Sequence, residues 1–278
     1  MTRELELAGL ASPDVEARRL VAAALEIEPA ELGASRKIGV DPAFAARVAK
    51  AVSRRLEGEP LQHVEGTADF RSLRLISDGR ALIPRPETEQ LVDLVARWVE
   101  ARGAPADRAL DIGTGSGAVA LSLLDEGLAK RVIALDVAPA ARALATENAR
   151  RVEARGLELR ACPSEIWPAV AEEPPFDLIV SNPPYVTSAE WVALDPVVRD
   201  HEPRVALDGG EDGLDVIRTI VHGAVGALGS DGALFLEIGA SQGPEVLALL
   251  RSTRGLADAR IERDLNGRER FATARRPA

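Results

Sequence analysis

The feature that most restricts the fold of this 278-residue chain is a glycine run at the seam between a strand-like and a helix-like stretch. Arg108 to Ile112 reads as a strand, Asp111-Ile112-Gly113-Thr114-Gly115-Ser116-Gly117 leaves its end, and Val119 to Leu124 reads as a helix. Glycines at such a seam allow a tight turn and close approach of the backbone to a ligand. Asp136 lies 23 residues beyond Gly113, at the end of the next strand-like run, Val132 to Leu135. An acid there can accept both hydroxyls of a ribose, which favours nucleoside binding over a structural turn. Gly113, Gly115 and Ala118 also satisfy the dinucleotide pattern, so a nicotinamide-dependent dehydrogenase competes at this stage.

The alternation continues. A helix is expected over Pro139 to Ala154, strands over Leu157 to Cys162 and Phe176 to Ser181, and a helix over Leu214 to Leu228. A strand at Ala233 to Ile238 and a helix at Glu245 to Leu250 follow, then a terminal hairpin, Asp258 to Asp264 and Arg268 to Thr273, around Asn266-Gly267. This order predicts a mainly parallel sheet covered on both faces, with ligands at the carboxyl ends of its strands. Upstream, residues 1–60 read as helices, with start signals at Ser12-Pro13 and Asp41-Pro42, a stop at Gly58 and a short segment around Pro29 and Gly33. Phe70, Leu73, Leu75 and Ile76, with Ser77-Asp78-Gly79, read as a linking hairpin within 61–84. Ile83 to Glu89 leads into a helix carrying Leu91, Leu94, Val95 and Trp98.

The fourth strand of the alternating region ends in Asn182-Pro183-Pro184-Tyr185. Pro183 has no N–H and a fixed φ, and it pushes Asn182 into an extended conformation. The loop thus offers two stiff acceptors, the Asn182 side-chain oxygen and the Pro183 carbonyl, beside an aromatic ring. Such a set suits a planar –NH2 group, although Asn-Pro and Pro-Pro also serve as plain turns. Together with Asp111 ahead of the glycines, it favours a methyltransferase using S-adenosylmethionine over hydride transfer.

Other chemistries find less support. Ser116 is no nucleophile elbow, because Thr114 and Ala118 occupy the flanking glycine positions. His63, His201 and His222 lack zinc-site spacing, and with a single cysteine, Cys162, neither a structural metal nor a disulfide framework is expected. Asp208, Glu211, Asp212 and Asp215 miss calcium-loop spacing. A net charge of −10 argues against general affinity for phosphate backbones. Arg47, Lys50, Arg54 and Arg55 fall on one side of a helix and read first as a solvated face. Met1-Thr2-Arg3-Glu4-Leu5-Glu6 has no apolar signal core and no run is of membrane length, so a cytoplasmic protein is expected.

The chain resembles the release-factor glutamine methyltransferases of the HemK/PrmC type along nearly its whole length. The likeness rests on Leu82 to Glu89, Asp111 to Gly117, Asn182 to Tyr185, Glu202 to Leu207 with Gly209 to Leu214, Leu236 to Gly239 with Gln242, and Asp264 to Arg268. Asn-Pro-Pro-Tyr alone is shared with adenine-N6 DNA methyltransferases; the joint pattern is more specific. The resemblance implies an α/β fold, with a seven-stranded class I S-adenosylmethionine-dependent, Rossmann-like methyltransferase domain over 85–278. It also implies an N-terminal helical substrate-binding domain over 1–60 and a β-hairpin linker over 61–84. The implied reaction, part of translation termination, is methylation of the amide nitrogen of the glutamine in the Gly-Gly-Gln motif of class I release factors. A monomer is implied, without direct nucleic-acid or membrane contact.

By the same resemblance Gly113, Thr114, Gly115, Ser116, Gly117, Asp136 and Trp167 would line the cofactor, with Asn182 near it. Asn182, Pro183, Pro184 and Tyr185 would hold the glutamine, with Asn182 and Tyr185 the catalytic pair. The family often has an acid at the position of Ile166, and here Glu165 sits one residue early. An adenine-N6 nucleic-acid methyltransferase and a catalytically silent nucleotide-binding adaptor are the rival readings.

Overall fold

The computed structural model describes residues 1–33, 41–162 and 165–278. Four helices open the chain: α1 (Thr2–Leu7), α2 (Pro13–Leu25), α3 (Pro42–Leu56) and α4 (Leu61–Glu65). Pro13 and Pro42 occupy first-turn positions, where the missing N–H is no loss. Asp41 caps α3 by accepting Phe44 N–H at 2.6 Å, whereas Ser12 makes no side-chain cap. The segment around Pro29 and Gly33 forms a 3-10 turn at Glu31–Gly33, and its continuation lies outside the described residues. Leu5, Ala17, Leu20, Val52 and Val64 share one small core, so α4 packs with the helices before it. The basic side of α3 braces this unit. Arg55 pairs with Glu16, Arg54 with Glu59, and Arg47 donates to the Ala24 carbonyl, leaving Lys50 exposed.

Strands β1 (Thr67–Phe70) and β2 (Leu73–Ile76) pair antiparallel. Their turn falls at Arg71-Ser72 rather than at Ser77-Asp78-Gly79, which follows β2. Arg71 takes the left-handed φ of 53° that glycine would usually supply. Its side chain explains the exception: it is anchored by Asp93 at 2.8 Å, by the Glu89 carbonyl and by Glu126.

From α5 (Pro86–Arg102) onward, helices and strands alternate: β3 (Ala109–Ile112), α6 (Ala118–Asp125), β4 (Val132–Asp136), α7 (Pro139–Arg151), β5 (Leu157–Ala161) and β6 (Phe176–Ser181). Short helices α8 (Ser188–Ala193) and α9 (Pro196–Arg199) precede α10 (Asp215–Ala227), β7 (Leu228–Glu237), α11 (Gly243–Ser252), β8 (Ala257–Arg263) and β9 (Glu269–Arg275). The seven strands lie in the order β5-β4-β3-β6-β7-β9-β8. Pairing is parallel from β5 to β7 and antiparallel for the terminal hairpin. β7 begins at Leu228, five residues before the expected Ala233.

The period of two along each strand divides the core. Ala109, Leu178, Val180, Ala233 and Phe235 face α5, α6 and the hairpin, while Leu110, Ile112, Ile179, Leu234 and Leu236 face α10 and α11. Both faces are buried, which is why the strands read as continuous apolar runs. Because β4 and β6 flank β3 on opposite sides, the loops after β3 and β6 diverge at a switch point, and a crevice opens there. Asn148 on α7 ties the hairpin to that crevice. Its amide accepts Ile76 N–H at 2.6 Å and donates to the Ile76 carbonyl at 3.2 Å and the Ser116 carbonyl at 2.9 Å.

Candidate active site

β3 and β6 run side by side with Ile112 opposite Ser181, and the Ser181 hydroxyl donates to the Ile112 carbonyl at 2.6 Å. The next residue on each strand begins a predicted site loop. A methyl group on Gly113 would lie 3.9 Å from the Asn182 carbonyl oxygen. The glycine loop and the Asn-Pro-Pro-Tyr loop are therefore in direct register.

Between them lies a cavity of about 320 Å³, within the range of small-molecule sites. Gly113, Thr114, Gly115, Ser116, Asp111 and Asp136 line one wall, and Asn182 and Pro184 another. Pro84 and Arg85 approach from ahead of α5, and Pro203, Val205 and Ala206 from the segment after α9. Glu202, almost fully buried, joins these last two segments, accepting Arg85 at 2.5 Å and Ile83 N–H at 3.3 Å.

Asp136 sits at the end of β4, where its Oδ2 accepts Gly115 N–H at 2.9 Å and its Oδ1 accepts Ala138 N–H at 2.8 Å. Burial raises its pKa, and those two backbone donors oppose the rise. Each carboxylate oxygen keeps a further lone pair, the number that a vicinal diol needs. Asp111 differs: it is 1% exposed, its Oδ2 has no partner, and burial pushes its carboxyl up to about 7. A buried acceptor left open beside a cavity is one that a donor or cationic group of a ligand can satisfy.

Asn182 and Tyr185 meet a residue pair that carried no role in the sequence reading. Asn182 Nδ2 donates to Thr88 Oγ1 at 3.0 Å, and the Thr88 hydroxyl donates to Glu237 Oε2 at 2.7 Å. Tyr185 donates its hydroxyl to Glu237 Oε1 at 3.1 Å and does not line the cavity. Burial raises the Tyr185 hydroxyl pKa, with the Glu237 charge adding to it; burial raises Glu237 too, opposed by its bonds from Thr88 and Tyr185. The signal for Glu237 was present in sequence: an acid ending the apolar run Ala233 to Leu236. Thr88 also lay in a segment that carries the family likeness, Leu82 to Glu89, but nothing local pairs it with Glu237, 149 positions away.

Gln242 holds the other end of the substrate loop. Its Nε2 donates to the Tyr185 carbonyl at 2.9 Å and to the Gly213 carbonyl at 3.2 Å, while its Oε1 accepts Gly239 N–H at 2.8 Å. The 209–213 loop approaches so closely that a methyl on Gly213, at φ +73°, would overlap the Tyr185 carbonyl oxygen.

Trp167 is placed elsewhere than expected. Its indole N–H donates to the Thr219 carbonyl at 2.9 Å and the ring lies on Gly223 of α10. Ile166, Cys162, Val137 and Val216 line the cavity in its stead. Gly117, Pro183 and Tyr185 are also absent from the cavity wall, whereas Asp111, Pro84 and Val205 belong to it. No group of described residues has the donors of a metal site, and no described helix is long and apolar enough to cross a membrane.

Comparison with known proteins agrees with this geometry. The family described as "PrmC N-terminal domain" matches residues 1–66, and "Methyltransferase small domain" matches residues 92–197. A "Release factor glutamine methyltransferase" of Deinococcus radiodurans is 42% identical over 277 residues, covering 99% of this chain and 95% of that one. One of the same name from Cereibacter sphaeroides is 42% identical, with 99% and 95% covered, and one from Streptomyces coelicolor 38%, with 99% and 95% covered. Among solved structures, a methyltransferase from Pyrococcus furiosus superposes with a TM-score of 0.54 at 17% identity, covering 84% of this chain and all of that one. A Lactobacillus delbrueckii ribosomal-protein methylase gives 0.51 at 20% identity, covering 71% and 82%. These two establish the Rossmann-like methyltransferase fold. On near full-length identity, the chain belongs to the release factor glutamine methyltransferase family.

Proposed function

We propose that this protein methylates the side-chain amide nitrogen of the glutamine in the Gly-Gly-Gln motif of class I peptide chain release factors, using S-adenosyl-L-methionine. On this reading it works in the cytoplasm as a monomer. The observation that carries the reading is that Gly113 and Asn182 follow the paired ends of β3 and β6, which supports a nucleoside-type cradle beside an amide-type clamp. The relatives named above supply the substrate class.

The residues present fit the cofactor. Asp136 would take the ribose hydroxyls, the unpartnered Asp111 carboxylate would face the cationic end, and Ile166, Val137 and Val216 would form an apolar slot for the base. S-adenosylmethionine supplies an activated methyl on a sulfonium; the protein supplies alignment.

An amide nitrogen is a weak nucleophile because its lone pair is delocalised into the carbonyl. Asn182 Oδ1 would accept one hydrogen of the substrate –NH2 at the cavity wall, and the Pro183 carbonyl, which does not line that wall, would accept the other once the substrate is seated against the loop. Together they would fix the nitrogen and favour the positive charge that grows on it. Tyr185, anchored through Glu237 beside the cavity rather than in its wall, would stiffen the loop that carries Asn182. Near-attack positioning contributes roughly 7 kcal/mol or more, larger than any one hydrogen bond in the loop. Transfer would form the N–CH3 bond as the S–CH3 bond breaks, with S-adenosylhomocysteine leaving and one N–H proton passing to water during or after transfer, so that orientation outweighs general-base catalysis.

The test is incubation with labelled S-adenosylmethionine and purified release factor, followed by mass mapping. Label on the Gly-Gly-Gln glutamine is expected. Label on duplex DNA and none on the release factor would replace this reading with the adenine-N6 one; no transfer at all would leave the silent adaptor.

A further inference from the structure

We propose that Thr88 and Glu237 are positioning residues that decide which way round the Asn182 carboxamide sits, and thereby make it an acceptor rather than a donor toward the substrate amide. The inference rests on the substrate-holding role given to Asn182 above. The two orientations of an asparagine amide are nearly isosteric, so shape alone does not choose between them. A hydrogen-bond network does. A side chain offering –NH2 to the substrate nitrogen would oppose it, while one offering oxygen would hold it.

The choice begins at Glu237. Its carboxylate is 1% exposed at the end of β7 and receives two hydroxyls, Thr88 at 2.7 Å and Tyr185 at 3.1 Å. A hydroxyl has one hydrogen, and Thr88 gives its hydrogen to Glu237. Thr88 Oγ1 then has only lone pairs left for its other neighbour, so it accepts from Asn182 Nδ2 at 3.0 Å. With the –NH2 end committed to Thr88, Oδ1 is the end left for the cavity that Asn182 lines. Tyr185 repeats the logic from the opposite side. Arg270 approaches its oxygen at 3.5 Å as a donor, so the phenolic hydrogen runs toward Glu237 as well.

The Thr88 and Tyr185 hydroxyls converge on one carboxylate, and the polarity of the clamp follows from that convergence. A Thr88 without a hydroxyl would leave Asn182 free to turn; a Glu237 carrying an amide would let Thr88 reverse its hydrogen. Thr88 is buried, at 4% exposure, in the first turn of α5 and borders the cavity beside Asn182, so the Asn182→Ala background below separates action through Asn182 from direct contact with substrate.

The test compares Thr88→Val, Thr88→Ser and wild type, each with and without Asn182→Ala, in the full-length enzyme. Three readouts are taken: kcat for methylation of a release factor, Kd for S-adenosylhomocysteine by calorimetry, and the 15N signals of the Asn182 side-chain amide. Thr88→Val should lower kcat about tenfold or more while Kd changes less than about twofold, and Thr88→Ser should restore most of the rate. In the Asn182→Ala background Thr88→Val should cost less than about twofold, because the two act as one unit. The Asn182 Nδ2 signal should lose its hydrogen-bonded shift in Thr88→Val. Wild-type kcat in Thr88→Val, equal losses with and without Asn182, or an unmoved Nδ2 signal would overturn the proposal. If wild type leaves the release factor unmodified, the functional reading fails, and the Nδ2 signal still decides the orientation.

Discussion

The Thr88 hydroxyl lies 2.7 Å from Glu237 Oε2, joining the first turn of α5 to the end of β7 across 149 positions of sequence. Neither residue is on the loop it serves. Thr88 in turn accepts from Asn182 Nδ2 at 3.0 Å, so on the proposal above a helix and a strand together set the polarity of an asparagine that belongs to neither. A carboxylate at 1% exposure is costly unless donors converge on it, and here Thr88 and Tyr185 do, with Arg270 close by.

Asp111 should make the ligand-free protein less stable as pH rises. In the unfolded chain its pKa is about 3.9, and in the fold burial lifts it to about 7. Between these values the folded state holds a proton that the unfolded state has lost, so stability falls across that window and stays lower above it. Asp111→Asn removes the penalty, which is on the order of a few kcal/mol. Calorimetry should show a higher Tm for the ligand-free variant at pH 8, the gap closing toward pH 4, together with weaker binding of S-adenosylmethionine. Equal Tm values at pH 8 would contradict the assignment.

Gly213→Ala should damage the substrate loop more than the cofactor site. The position combines φ +73° with a close approach to the Tyr185 carbonyl, so a methyl group meets both backbone strain and overlap. A loss of about 1–3 kcal/mol in stability and a marked drop in kcat are expected, with S-adenosylhomocysteine affinity nearly kept. Unchanged melting and turnover would show that the 209–213 loop relaxes freely.

Asn148→Ala should uncouple the hairpin from the glycine loop. It deletes the bonds to Ile76 N–H, the Ile76 carbonyl and the Ser116 carbonyl from a side chain that is fully buried. Leaving those backbone groups unmet costs about 2–4 kcal/mol. Hydrogen exchange should report faster opening of Ile76 N–H, while Asn182 is undisturbed. Retention of wild-type protection at Ile76 would count against this tie.

Ile166 and Trp167 should separate by cofactor affinity. Ile166 lines the cavity, whereas Trp167 bonds to Thr219 and lies on Gly223. Ile166→Ala removes apolar contact worth about 1–2 kcal/mol, about a five- to thirtyfold loss of affinity. Trp167→Phe should leave Kd within about threefold and lower Tm through the lost indole bond. The reverse ranking would restore Trp167 as the adenine contact.

Much of this molecule was written locally. Prolines at helix starts, glycines after β3 and apolar runs bounded by loops are short-range signals, and they placed the seven strands and the crevice that opens at their ends. The hairpin turn was misplaced, because Arg71 adopts a glycine-like φ that only its contacts with Asp93, Glu126 and Glu89 support. Local chemistry favoured Ser77-Asp78-Gly79, and tertiary contact overruled it.

The sequence by itself determined the fold class and the two loops, since a backbone's hydrogen bonds and a strand's period of two depend on near neighbours. Only the tertiary structure decided that Thr88 meets Glu237, that one Asp111 oxygen lies unpartnered, and that Ile166 rather than Trp167 lines the cavity. Those facts depend on which side chains the sheet order brings within 3 Å or so of each other, and a hydrogen bond falls away steeply beyond that distance.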